Sequence, residues 1–145
     1  MKRLMVIQEH NAEKAGLHWD LRFESYGDLD LYEQKRPVTN EPTNSQDLRV
    51  LRSFAIPKAK LPSGKEFLLA METEDHPWEY KDFEGEIKQG YGKGIMKLLH
   101  NSYINVTRFE TDKIHFNYNG SKYNMWRATF TKNPKAWMIK EVGKC

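Results

Sequence analysis

Apolar and polar residues alternate without interruption along Leu17-His18-Trp19-Asp20-Leu21-Arg22-Phe23-Glu24. A period of two over this length predicts a half-buried β-strand. Leu17, Trp19, Leu21 and Phe23 would face a core, and His18, Asp20, Arg22 and Glu24 would face solvent or a cleft. The apolar run over residues 3–8 predicts a preceding strand that ends at Glu9-His10. Residues 11–16 read as the connecting turn, so that the two strands bring His10 close to His18. Gly27-Asp28 is a turn signal, and residues 29–32 extend the hairpin. Residues 35–47 hold Pro37, Asn40, Pro42, Asn44 and Ser45, and read as a surface-loop insertion.

Further strand-like runs follow at 51–56 (ended by Pro57), 65–73, 95–99, 103–109, 113–118, 123–130 and 137–141. Asn119-Gly120 is a hairpin signal between two of them. Gln89-Gly90-Tyr91-Gly92-Lys93-Gly94 has the look of a phosphate loop, but no Gly-Lys-Ser/Thr follows, and tight turns explain it better. Many short strands punctuated by turns predict a mainly β fold, a compact closed or nearly closed β-barrel with little helix. The 145 residues fit a single domain spanning 1–145.

Charge is unevenly distributed. Residues 1–87 carry 12 Lys/Arg against 17 Asp/Glu, whereas residues 88–145 carry 11 against 3. A basic half rich in Tyr, Phe and Trp suits a nucleic-acid surface, with cations for phosphates and rings for bases. A solvated basic face over core aromatics is the blander alternative. Cys145 is the only cysteine and excludes an intrachain disulfide, which fits a reducing cytoplasm. No apolar run approaches the roughly 20 residues of a membrane helix, so no membrane association is expected. A monomer is expected.

Three of the five histidines lie beside acidic residues: His10 after Glu9, His18 near Asp20, and His76 after Glu74-Asp75. His100 and His115 have no such partners and read as structural. Pro77 restricts His76 to an extended backbone. Two imidazoles and a carboxylate suit Mn²⁺, Zn²⁺ or Fe²⁺ and leave positions open for substrate. Arg22 would then hold two oxygens of a phosphate. An ordinary polar sheet face remains the alternative for this strand taken alone.

The motifs Val6-Ile7-Gln8-Glu9-His10, Leu17 to Glu24, Ser53-Phe54-Ala55-Ile56-Pro57-Lys58, Glu74-Asp75-His76-Pro77-Trp78-Glu79-Tyr80 and Asp82-Phe83-Glu84-Gly85 occur in this order. Together they resemble the 3′-phosphoesterase domain of bacterial DNA ligase D and its free-standing relatives. The resemblance is dense over residues 5–95, with an echo at Trp137-Met138-Ile139-Lys140. It implies a compact β-barrel and a metal-dependent activity, usually with Mn²⁺, on DNA or RNA–DNA 3′ ends. Such enzymes remove a 3′-phosphate, and often a 3′-terminal ribonucleotide, leaving a 3′-OH that a polymerase or ligase can use; a stand-alone chain would meet such a ligase or polymerase in trans. His10, His18 and Asp20 match the family's metal ligands, and Arg22 and His76 its phosphate contacts. Tyr80 matches a further active-site position, and Lys58 and Glu74 match supporting ones.

Departures from the pattern temper what carries over. Two extra residues lie between the first two histidines, around Ala15-Gly16. Phe67-Leu68 stands where relatives often have a basic residue. Relatives also often carry residues before the first strand that serve ribonucleotide removal, so phosphate removal is the stronger expectation. A non-catalytic module that binds nucleic-acid 3′ ends is the alternative.

Overall fold

The computed structural model describes residues 1–27 and 48–145. The expected insertion at 35–47 and the hairpin extension at 29–32 lie outside them. The strands are β1 (Lys2–Ala12), β2 (Gly16–Gly27), β3 (Leu48–Ile56), β4 (Phe67–Glu72), β5 (His76–Pro77), β6 (Gly85–Ile87), β7 (Gly94–Phe109), β8 (Lys113–Tyr118), β9 (Ser121–Arg127) and β10 (Ala136–Lys144). They form one sheet in the order β1-β2-β3-β4-β10-β9-β8-β7-β6, with β5 paired to β3. Pairing of β1 with β7 closes the sheet into a ring. The only helical turns among the described residues are 3₁₀ segments, Trp78–Asp82 and Thr129–Thr131. The mainly β, ring-like architecture is the one the alternation predicts.

Local chemistry accounts for the turns and ends. Asn119 and Gly120 both adopt positive φ, at 50° and 82°, and form a two-residue hairpin between β8 and β9. The runs at 95–99 and 103–109 are a single long strand. Pairing to β1 along Lys2↔Asn105 to Ala12↔Gly94 carries the backbone across the polar residues between them, with a bulge at Ile7/Gln8. The run predicted over 123–130 stops at Arg127, because Thr129–Thr131 turns into a 3₁₀ segment.

The inside of the ring is apolar. Met5, Ile7, Leu21, Phe23, Phe54, Phe116, Met125, Trp137 and Ile139 belong to one buried cluster. Phe23 packs edge-on against Phe54, Phe109 and Phe116 at centroid distances of 6.3, 6.1 and 5.4 Å. Truncating such a ring to Ala costs about 3–5 kcal/mol. Leu68 is part of this cluster, so it turns away from the outer face.

The other face of β1 and β2 departs from the expectation of a half-buried strand. Gln8, His10, Asp20, Arg22 and Glu24 are all buried, as are Leu21 and Phe23 on the inside, whereas Trp19 is only half-buried and Leu17, at the start of the strand, is exposed instead of facing the core. Residues 74–92 cover Gln8, His10 and Arg22 from outside. β5 pairs with β3 at Leu51↔His76, and the side-chain amide of Gln8 donates to the carbonyls of Tyr80 (2.8 Å) and Phe83 (3.1 Å). The 3₁₀ segment is thereby tied across the polar face, and a groove remains between cover and sheet.

Candidate metal and phosphate site

Antiparallel register sets His10 directly opposite His18, and Gln8 opposite Asp20. The two imidazole centroids are 4.8 Å apart. The Asp20 carboxylate reaches back to both rings, with Oδ2 3.3 Å from His10 Nδ1 and Oδ1 3.2 Å from His18 Nε2. His10 Nε2 lies 2.7 Å from the Gly92 carbonyl, and His18 Nδ1 lies 3.1 Å from the Gly16 carbonyl. A carbonyl can only accept, so each of these ring nitrogens carries the proton. When neutral, the two rings therefore point lone pairs from His10 Nδ1 and His18 Nε2 at an anionic carboxylate. Three acceptors so placed are satisfied only by a shared proton or a cation. One ligand atom from each of the three residues lies within 4.8 Å of the others, which fits a small ion with nitrogen and oxygen ligands.

The electrostatics agree. The hydrogen bond to Asp20 raises the His18 pKa above its ordinary value, against the opposing effect of burial. Burial alone would push the Asp20 carboxyl up. The contacts with the His10 and His18 rings and the charge of Arg22 outweigh it and hold Asp20 well below the usual carboxylate range.

Arg22 is 2% exposed and held on three sides. Its Nε donates to Gln8 Oε1 (2.7 Å), Nη1 to Ser53 Oγ (2.8 Å), and Nη2 to Asp20 Oδ2 (3.4 Å). A guanidinium has five N–H groups, so one remains on each terminal nitrogen. The side chain is a preset clamp rather than the free fork its sequence position suggests. The Tyr80 ring lies 5.1 Å from the Arg22 Cζ and 5.0 Å from the His76 ring, and stacks on Phe83 at 4.9 Å.

His76 Nδ1 donates to the Glu74 carbonyl at 2.9 Å, leaving Nε2 with its lone pair. Burial, assisted by the charge of Arg22, lowers the His76 pKa to about 4, so the ring is neutral at pH 7. Glu74 contributes this carbonyl, while its side chain is exposed.

His10, His18, Asp20, Arg22, Glu74, His76 and Tyr80 thus line one groove. Lys58 does not: it is exposed in the turn after β3, and only its neighbour Pro57 reaches the lining. His100 packs its ring on Tyr118 and, with His115, stands outside the groove. Gln8, Ser53 and the Gly92 carbonyl were not singled out by sequence reasoning. Gln8 is two residues from His10 on the same strand face, a signal that was available. Ser53 emerges only from its register opposite Arg22.

The family model for the DNA ligase D 3′-phosphoesterase domain matches residues 45–128. The chain belongs to this 3′-phosphoesterase family. The matched segment includes Lys58, Glu74, His76 and Tyr80, while His10, His18, Asp20 and Arg22 precede it. Among relatives of this phosphoesterase domain, the chain is 37% identical over 105 residues to the multifunctional non-homologous end joining protein LigD of Mycolicibacterium smegmatis, covering 72% of this chain and 11% of that protein. It is 30% identical over 138 residues to the LigD of Mycobacterium bovis, covering 92% of this chain and 15% of that protein. The LigD of Pseudomonas aeruginosa is 35% identical over 89 residues, 61% of this chain and 8% of that protein. The chain therefore spans only a small part of the length of these relatives.

Proposed function

We propose that this chain is a metal-dependent phosphoesterase that processes the 3′ ends of DNA or RNA–DNA in repair, removing a 3′-phosphate to leave a 3′-OH. The observation that carries this reading is the convergence of three metal-type donor atoms on one side of a buried, preset guanidinium, with a neutral imidazole in the same groove. Membership of the 3′-phosphoesterase family supports it, as do relatives named for non-homologous end joining.

His10 Nδ1, His18 Nε2 and an Asp20 oxygen would hold the ion, with Mn²⁺ the proposed occupant and Zn²⁺ also compatible with the donor set. When bound, the ion supplies positive charge that offsets the phosphoryl oxygens. Arg22 would take a phosphate oxygen on each of its two remaining N–H groups without moving, because Gln8, Ser53 and Asp20 already fix its plane. His76 presents an acceptor nitrogen when neutral, so it gains a proton only as an anionic phosphate arrives. A water oxygen would bond to phosphorus as the P–O3′ bond breaks, and His76 would give its proton to the leaving 3′ oxygen while the released phosphate keeps the protons of the water. Tyr80 would keep Arg22 and His76 in place through its ring. Lys58, outside the groove, would add only long-range positive charge.

A polymerase or ligase consumes a 3′-OH, so such enzymes are the proposed partners. No helix among the described residues is long and apolar enough to cross a membrane. Removal of a 3′-terminal ribonucleotide is the second proposed reaction of the same groove.

A non-catalytic end-binding module is the second reading. It is favoured by the burial of Leu68 and the exposure of Lys58, since neither adds charge beside Asp20. The test is a labelled primer–template ending in 3′-phosphate, and another ending in one ribonucleotide, incubated with Mn²⁺ or with EDTA. Conversion of the first to 3′-OH with Mn²⁺ alone is expected. Ends bound but unchanged would establish the module, and conversion that survives EDTA would refute the metal scheme.

A further inference from the structure

Two tyrosines line the groove, and they differ in kind. Tyr80 is packed among Arg22, His76 and Phe83. Tyr91 is 72% exposed, and among the described residues its ring meets no other ring or cation and its hydroxyl has no hydrogen-bond partner. An aromatic left open to water beside a candidate phosphate site calls for an explanation that core packing does not give.

Its backbone, by contrast, is held. Lys93 N donates to the Gly90 carbonyl at 3.1 Å, placing Tyr91 and Gly92 in the middle of a turn. Glu13 N donates to the Lys93 carbonyl at 2.8 Å, which ties the turn to the end of β1. The Gly92 carbonyl accepts from His10 Nε2 at 2.7 Å. The α-carbon of Tyr91 is therefore one peptide, about 3.8 Å, from the residue that orients a candidate metal ligand. The ring is displayed at the groove by a support that shares its anchor with the site. Phe130, similarly exposed at 76%, is not in the groove lining and has no such connection.

A nucleobase lies one sugar away from its own 3′-phosphate. We infer that Tyr91 is the platform on which the 3′-terminal base of the nucleic acid stacks while its phosphate occupies the site of His10, His18, Asp20 and Arg22, an inference that rests on the 3′-end reading above. Stacking is tolerant of base identity, because every base presents a π-face. The backbone that carries the ring is tied to β1 through Gly92 and Lys93, so binding has only the side chain's own rotamers left to order. Tyr91 is thus a positioning residue that selects a nucleotide end over a bare phosphate monoester.

The test is binding, with Mn²⁺ present, of a primer–template whose 3′ end carries a methylenephosphonate that cannot be hydrolysed. The terminal nucleotide is either 2-aminopurine or abasic. Wild type and Tyr91→Phe are expected to bind the 2-aminopurine end alike and quench its fluorescence, while Tyr91→Ala binds about tenfold more weakly without quenching. Wild type should bind the abasic end as weakly as Tyr91→Ala does, and the penalty of the substitution should vanish there. Wild-type affinity of Tyr91→Ala for the base-bearing end would overturn the inference. So would an equal loss on the abasic end, or no binding of either end by wild type. Conversion of an authentic 3′-phosphate is scored alongside. No product, with the Tyr91 difference intact, removes the phosphoesterase reading and keeps the stacking; product without any Tyr91 difference does the reverse.

Discussion

Replacing Gln8 with Ala is the most informative single perturbation, because this buried amide joins the site to its cover. Its oxygen accepts from Arg22 Nε at 2.7 Å, and its nitrogen donates to the Tyr80 and Phe83 carbonyls at 2.8 and 3.1 Å. A hydrogen bond to a charged group contributes about 1.5–3 kcal/mol and a neutral one about 0.5–1.5 kcal/mol. The three together give about 2.5–6 kcal/mol, centred near 4. With a urea dependence of about 2 kcal/mol per molar, the denaturation midpoint should fall by about 2 M. Gln8→Glu separates the two connections: its carboxylate still accepts from Arg22, but it has no donor for the two carbonyls. It should show a smaller loss of stability than Gln8→Ala but the same loosening of the 3₁₀ segment that carries Tyr80. Turnover of a 3′-phosphate end should fall by about 100-fold in Gln8→Ala, the scale of effect for roughly 1 Å of misplacement at a reacting group. Urea titration with initial-rate kinetics measures both. A Gln8→Ala unfolding free energy within about 0.5 kcal/mol of wild type, with full turnover, would refute the idea that this amide supports the site.

Other expectations follow from the same geometry. Asp20→Asn leaves the buried Arg22 charge facing neutral groups and should cost about 3–5 kcal/mol in chemical denaturation. The same change should weaken metal binding by more than the roughly 100-fold typical of losing a supporting partner, as measured by calorimetry. His76 titrates near 4 when folded, against an ordinary value of 6.5, so the unfolded chain binds more protons between these values. Its contribution is therefore intact above pH 6.5 and is lost as pH falls through about 4, by up to about 3 kcal/mol. His18, raised by Asp20, acts in the opposite sense, since its contribution is full at low pH and lost as pH rises through its folded pKa. The difference between wild type and His76→Gln over pH 4–7 should isolate the first effect, and a flat difference would contradict it. Gly94→Ala places a Cβ 2.1 Å from the Asn11 carbonyl oxygen at a φ of 155°. It should break the β1–β7 closure at a cost of at least about 3 kcal/mol, read as a fall in thermal midpoint.

The strand from Leu17 to Glu24 was legible because its alternation is unbroken, and so was the pairing that brings His10 to His18. The burial of its polar face was not. Nothing within the strand says that residues 74–92 fold back over it, because the tie is made by one amide on β1 and two carbonyls seventy-odd residues away. The state of Arg22 was hidden for a related reason: Gln8 and Ser53 reach it from the two flanking strands, and only the register of β1, β2 and β3 reveals them. Lys58 was drawn toward the site by its place in a motif, whereas its exposed position after Pro57 is set by the turn that ends β3. The long strand β7 reads as two runs in the sequence because the residues between them, His100 to Ser102, carry little alternation of their own and take their conformation from β1.

The central claim is that His10, His18 and Asp20 hold one ion on which 3′-phosphate removal depends. It is tested most directly by titrating Mn²⁺ into metal-free protein while following occupancy and turnover of a 3′-phosphate primer–template together. Turnover that rises with occupancy and levels off at one equivalent per chain, with His18→Ala losing both, is the expected result. Turnover in the metal-free protein, or full activity in His18→Ala, would contradict it.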